Sequence, residues 1–136
     1  MTAQTIILIS LCILIAGLKL LGRPWRCDCG QTRLYVSDVN HRCYSQHLFG
    51  PWTFSHFVHG IAFYSIVTHF FTLPLFITIA IVVLIESLWE IIENTPYTIN
   101  WFRAMGDRGY KGDARINSYG DLIACILGAL FTYWIF

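Results

Sequence analysis

The stretch that decides the fold is Glu86-Ser-Leu-Trp-Glu-Ile-Ile-Glu-Asn94, which closes an apolar run beginning at Leu73. Steps of four and then three residues, at about 100° each on a helix, place Glu86, Glu90 and Glu93 inside a sector of roughly 60°. The three acids therefore form one stripe at the end of a membrane-type helix. A charge at the centre of a bilayer costs about 2.5 to 3.5 kcal/mol on insertion scales, so such a stripe requires a partner, a proton, water or a metal.

The surrounding composition agrees with a membrane setting. Of 136 residues, 56% are hydrophobic and only 12% charged, and the mean hydropathy is +0.57. That balance describes one compact membrane unit and excludes an ordinary soluble domain. The net charge of +1 gives no general attraction to nucleic acid, and the sequence carries no basic tail, low-complexity segment or internal repeat.

Outward from the acidic stripe, four membrane helices are expected. The first covers residues 2–21, apolar except for Lys19, and close to the roughly 20 residues needed to cross the hydrocarbon core. It lacks a basic start and a small-residue cleavage site, so a retained helix is expected in place of a cleaved signal peptide. A polar loop follows over 22–53, broken by Gly22, Pro24, Gly30, Gly50 and Pro51. The second helix spans 54–71 and the third 73–93, joined by Phe71-Thr-Leu-Pro74, a link short enough to make them antiparallel neighbours. Thr95-Pro96 stops the third helix, because proline disfavours helical geometry in the residue before it. Residues 95–115 read as a second polar loop, and the fourth helix spans 116–136 with Asp121 as its charge.

Four crossings put both loops on one side, together with all nine Lys and Arg residues. The positive-inside tendency makes that side cytoplasmic, with both termini outside a bacterial inner membrane. It also brings polar residues from three helices to one face. His56 and His59 open the second helix, Glu86, Glu90 and Glu93 end the third, and Asn117 and Asp121 begin the fourth, all within about two turns at 1.5 Å per residue. Asp113, four residues before Asn117, extends that row.

His56 and His59, three apart, share a face as a metal-binding pair on a helix does. Taken alone, the pair favours the plainer reading of neutral helix-end histidines bonded to nearby acids, and Asp113 or Asn117 reads also as a cap of the fourth helix. Taken together, the imidazoles and carboxylates suit zinc, iron or manganese. A metal held by His56, His59, Glu90, Glu93, Asp113 and Asp121 offsets buried charge and activates water for attack on an ester, amide or phosphate, with Glu90, Glu93, Asp121 and Asn117 as candidate catalytic groups. The competing expectation is a salt-bridge network, in which Arg103, Arg108, Lys111 and Arg115 fold over the acids. Glu90 and Glu93 are read as level with the histidines and the pocket's own residues, and Glu86 as deeper, either protonated or merely structural.

Five cysteines are too scattered for a secreted disulfide scaffold. Cys12 and Cys125 lie in apolar runs as small core residues. Cys27 and Cys29 are too close in sequence to bond each other easily. With Cys43 and His41 or His47 they can form a second zinc site; in an oxidising compartment one of the pair can bond Cys43 instead. A turn with incidental cysteines is the third reading. His69, near the opposite face, is given no role.

Cys27-Asp-Cys-Gly30, Ser45-Gln-His47, Ser55-His-Phe-Val-His-Gly60 with Phe63-Tyr64, Trp89-Glu-Ile-Ile-Glu-Asn94, and Gly112-Asp113 followed by Asn117-Ser118 and Asp121 occur in one order. In these the chain resembles an uncharacterised family of alphaproteobacterial multi-pass inner-membrane proteins, domain of unknown function 2585. The resemblance implies a membrane protein and no particular activity. Where that family has Asp-Trp-Tyr-Thr, this chain has Gly50-Pro-Trp-Thr53, so an acid expected at 50 is missing; Cys43 has no counterpart, and family members continue past the point where this sequence ends. An acid-rich helix followed by an Asp and Asn motif is also similar, by analogy only, to VanZ-like membrane proteins.

The expected fold is thus an all-α polytopic bundle of four transmembrane helices, a single domain over 1–136, with a polar pocket near one face bordered by Trp89, Trp101 and Phe102 at headgroup depth. Three functions follow from it. The first is a metal-dependent hydrolase or transferase on a lipid-linked or amphiphilic substrate, with Arg103 and Arg115 holding an anion. The second is a non-catalytic small subunit or assembly factor partnered with other membrane subunits. The third is a binder of anionic lipid headgroups through Arg103 and Arg115.

Overall fold

A computed structural model describes residues 2–31 and 33–136. Five helices follow one another: α1 Ala3–Leu20, α2 Thr53–Phe70, α3 Leu75–Glu93, α4 Pro96–Ala104 and α5 Arg115–Ile135. No strand forms among the described residues, where the only sheet-like pairing is an isolated bridge between Tyr35 and Phe49. α1, α2, α3 and α5 fall within two residues of the four helices expected.

α1, α3 and α5 are long and apolar enough to cross a membrane. α2 matches them in length at 18 residues but not in composition, because His56, His59, His69 and four Ser or Thr side chains interrupt it. By length and composition, three of the four expected membrane helices are thus present among the described residues. Only 17% of α1 lies inside the fold, leaving Leu8, Ile9, Ile13 and Ile15 exposed, an apolar face that a lipid environment would cover.

The second loop corrects a further expectation. Thr95-Pro96 ends α3 but also begins α4: Thr95 caps it by accepting the Thr98 N–H at 3.3 Å, and Pro96 occupies the first turn, where its missing N–H costs nothing. α4 carries Phe102 toward Tyr110, so this segment builds a wall and is not plain loop.

α2 packs along α5 and α1 along α3, with α3 between the pairs. The α2–α5 seam is set by glycines. A Cβ at Gly60 would fall 1.9 Å from the Cys125 carbonyl oxygen, and one at Gly128 1.9 Å from that of Phe57, so the two backbones touch. Leu14, Leu18, Val83 and Leu122 fill the space where α1, α3 and α5 meet.

The first long loop lies over the N-terminal end of α5 and satisfies it. Arg115 and Ile116 donate their backbone N–H groups to the Pro24 and Trp25 carbonyls at 2.9 and 3.1 Å, and Ala114 donates to Ser45 at 2.9 Å. Those donors have no partner inside the helix. Arg23 adds bonds from Nε to the Asp113 carbonyl at 2.9 Å and from Nη2 to that of Lys111 at 2.7 Å, tying the two loops together on the side where the acids end.

A candidate metal centre at the loop-side pole

His56 is the hub of the site. Its Nδ1 lies 2.5 Å from Glu86 Oε1 and 3.4 Å from Glu90 Oε1. Its Nε2 lies 4.0 Å from Glu93 Oε2 and 3.9 Å from Asp121 Oδ2. His59, one turn on, brings Nδ1 to 3.5 Å from Glu86 Oε2. The convergence expected from sequence is present: α2 supplies the imidazoles, and α3 and α5 the carboxylates.

Glu86 takes a larger part than its sequence position implies. It is fully buried and, among the described residues, is the only acid paired with both histidines. By depth along α3 alone it reads as structural, yet the rings of both histidines reach it. A signal was nonetheless there, since Glu86 lies four residues before Glu90 on the same helix face.

Asp113 is buried and held by neighbours: it accepts from the Tyr110 hydroxyl at 2.8 Å and from Asn94 Nδ2 at 3.1 Å, while its own N–H donates to Asn94 Oδ1 at 2.7 Å. Burial pushes its carboxyl up, opposed by the bonds from Tyr110 and Asn94. Asn117 turns away from the histidines and donates to the Leu48 carbonyl at 3.4 Å. Asp121 accepts from Thr53 Oγ1 at 2.6 Å, and Thr53 in turn accepts from the Gly50 N–H at 2.9 Å. At Gly50 a Cβ would sit 3.8 Å from Asn117 Nδ2.

The cluster is conspicuously short of cations. Every ion pair among the described residues has a histidine as its basic member, so the expected cover of Arg103, Arg108, Lys111 and Arg115 over the acids is not formed. Arg103 Nε donates to the Tyr110 carbonyl at 2.5 Å and Arg115 Nε to that of Arg23 at 2.8 Å. Meanwhile Glu86 Oε2, both oxygens of Glu90, Glu93 Oε2 and His59 Nδ1 are buried without a hydrogen-bond partner. Buried polar atoms are normally paired, and a buried charge needs compensation.

A metal fits that donor set. His56, His59 and Glu86 form one group whose ligand atoms lie within 4.8 Å of one another, and His56, Glu90 and Glu93 form a second. Two ligands at about 2.0 to 2.1 Å on tetrahedral corners stand roughly 3.4 Å apart, close to the 3.5 Å between His59 Nδ1 and Glu86 Oε2. His56 and Glu93 also line a cavity of about 380 Å³ walled by Tyr44, Trp52, Trp89 and Phe102. Trp89 and Phe102 border it as expected; Trp101, Arg103 and Arg115 are not among its lining residues.

The cysteine loop resolves differently. Cys27 and Cys43 are joined as a disulfide with their Cα atoms 5.8 Å apart, which leaves Cys29, its Sγ 3.9 Å from His47 Nε2. The four residues could all reach one ion, but the bonded pair and a four-ligand zinc site exclude each other. His41 accepts the Cys43 N–H at 3.1 Å.

Fold and site define a class: an all-helical bacterial protein whose three apolar helices point to membrane association, with a buried His and carboxylate group that can hold a metal. Within that class the chain belongs to the protein family of unknown function DUF2585, whose model matches residues 18–136, in agreement with the motif resemblance. A UPF0314 protein of Sinorhizobium fredii is 40% identical over 117 residues, covering 83% of this chain and 58% of that protein. One from Agrobacterium fabrum is 37% identical over 132 residues, covering 96% and 65%, and one from Sphingopyxis alaskensis 34% identical over 122 residues, covering 87% and 64%. The chain thus spans less than two thirds of the length of these curated relatives. No solved structure matches it.

Proposed function

We propose that this protein is an integral inner-membrane metalloenzyme, a hydrolase or transferase that acts on a lipid-linked or amphiphilic substrate at the membrane interface, with α2 as a fourth membrane helix. The observation that carries this reading is the set of buried oxygens on Glu86, Glu90 and Glu93 that lack a hydrogen-bond partner, gathered around His56 and His59 with no Lys or Arg among the described residues paired to them. A divalent cation held there would offset the charge and would supply Lewis-acid chemistry toward water and an ester or phosphoryl oxygen. His56, His59, Glu86 and Glu90 would hold it. Glu93, on the cavity wall, would take the water's proton and return it to the leaving alcohol, so that one bond to the acyl or phosphoryl group forms as another breaks.

Metal analysis of protein purified in mild detergent tests the assignment. The expected result is zinc, iron or manganese near one per chain, lost with Glu86→Gln and accompanied by a lower melting temperature in chelator. Protein free of metal, with stability indifferent to chelator, overturns it.

On sidedness, the gathering of Lys and Arg around the pole supports a cytoplasmic site, whereas the Cys27–Cys43 bond belongs to an oxidising compartment. Labelling of Cys29 by a membrane-impermeant maleimide in intact cells decides: labelling places the pole outside, and protection places it inside.

A further inference from the structure

The cavity beside the cluster has walls that speak to its occupant. Tyr44 and Tyr110 stand 6.0 Å apart at 58°, and Phe102 meets Tyr110 at 5.5 Å and 84°. Across the cavity Trp89 meets His59 at 5.5 Å and 84°. All four of these rings, with that of His59, line one cavity. Trp52 completes the box; its indole N–H donates to the Tyr44 hydroxyl, which donates to Asp107 Oδ2 at 2.7 Å. Asp107 and Glu93 are the acids of the lining, and no Lys or Arg belongs to it.

We infer that this box receives an alkylated ammonium group, so that the substrate of the adjoining centre is an amphiphile with a cationic or zwitterionic headgroup, not a purely anionic one. Three properties of the box select that chemistry. Aromatic faces attract a cation through the ring quadrupole, Trp most strongly, and cages of this kind are the recurrent means of holding quaternary ammonium. The carboxylates of Asp107 and Glu93 add charge complementarity, whereas an anionic headgroup would meet two acids and neither Lys nor Arg, the bases of the lining being His56 and His59 on the side of the cluster. The volume of about 380 Å³ lies within the range of small-molecule sites, and the His56 and Glu93 side of the box places the rest of the headgroup next to the carboxylate cluster.

The inference deepens the enzymatic reading and rests on it for the word substrate, but binding by the box requires no metal. Its test therefore uses full-length protein in maltoside detergent, stripped of metal by chelator. The probes are choline, its uncharged carbon isostere 3,3-dimethylbutan-1-ol, and inorganic phosphate, followed by calorimetry and by Trp fluorescence. Choline should bind at least about tenfold more tightly than the isostere, corresponding to about 1.4 kcal/mol, and phosphate should not compete. Asp107→Asn and Trp52→Leu should each weaken choline at least fivefold while leaving the isostere within twofold; Trp52 is half-exposed and Asp107→Asn preserves shape, so both variants should fold. Equal or tighter binding of the isostere, competition by phosphate, or indifference to both substitutions overturns the inference. Ammonium binding without any bound metal in the native protein would sink the metalloenzyme reading alone; metal without ammonium preference would sink the box alone.

Discussion

The two halves of the helical bundle are built on opposite terms. Along the α2–α5 seam, Gly60 and Gly128 let backbones meet with no side chain between them, and Val82, Cys125 and Ala129 close the space with apolar atoms. At the loop-side pole the same helices part around Glu86, Glu90, Asp121 and His56, and several of their polar atoms are buried without partners. The first arrangement is what packing favours, since small residues at a helix interface allow close approach even when lipid removes the hydrophobic drive. The second is costly by itself. The difference teaches how the cost is carried: the close-packed seam joins the two helices, while the pole keeps buried polar atoms without hydrogen-bond partners.

The largest expected effect breaks the seam. Gly128→Val places methyl groups into the Phe57 carbonyl, and overpacking of this kind typically costs about 1 to 3 kcal/mol, with backbone clash at the upper end. Unfolding in detergent should show a loss of about 3 kcal/mol and reduced metal content, because α2 carries both histidines. Metal retained at full stability would mean that the seam does not position the pole.

Glu90→Gln probes the cost at the pole itself. Glu90 is fully buried and neither oxygen has a hydrogen-bond partner; an ionised carboxylate left so costs on the order of 2 kcal/mol, a cost that the uncharged amide avoids. In chelator the variant should therefore be more stable than the parent by about that amount, and with metal supplied the order should reverse. A variant less stable in both conditions would show that Glu90 serves the fold alone.

The smallest effect separates the two regions. Thr53→Val removes the 2.6 Å bond to Asp121 and the acceptor of the Gly50 N–H while leaving the glycine contacts untouched. A loss of about 1 kcal/mol is expected, the usual worth of a hydrogen bond, together with weaker metal affinity. A change in stability with metal affinity unaltered would place Asp121 outside the centre.

Much of this was legible in the residues. The apolar runs and the breakers at Pro74 and Pro96 located α1, α2, α3 and α5, because length and hydropathy act locally. The i, i+4 and i, i+3 spacings of Glu86, Glu90 and Glu93, and of His56 and His59, put each set on one face, and the short 71–74 link brought those faces to the same end. α4 was not legible, since Pro96 reads equally as the stop of one helix and the start of the next until the Thr95 cap is seen. Nor was the box: Tyr44, Trp52 and Asp107 come from both loops, and loop residues carry no periodicity to predict their meeting.

The sequence by itself determined that this chain forms apolar helices with histidines and acids gathered at one pole, because helical period and hydrophobic length depend on neighbours along the chain. Only the tertiary structure decided that Glu86 is the acid between the two imidazoles, that no arginine covers the cluster, and that five aromatic rings close beside it. Those facts depend on how α2 crosses α3 and α5, which the glycines permit and the packing of distant side chains sets.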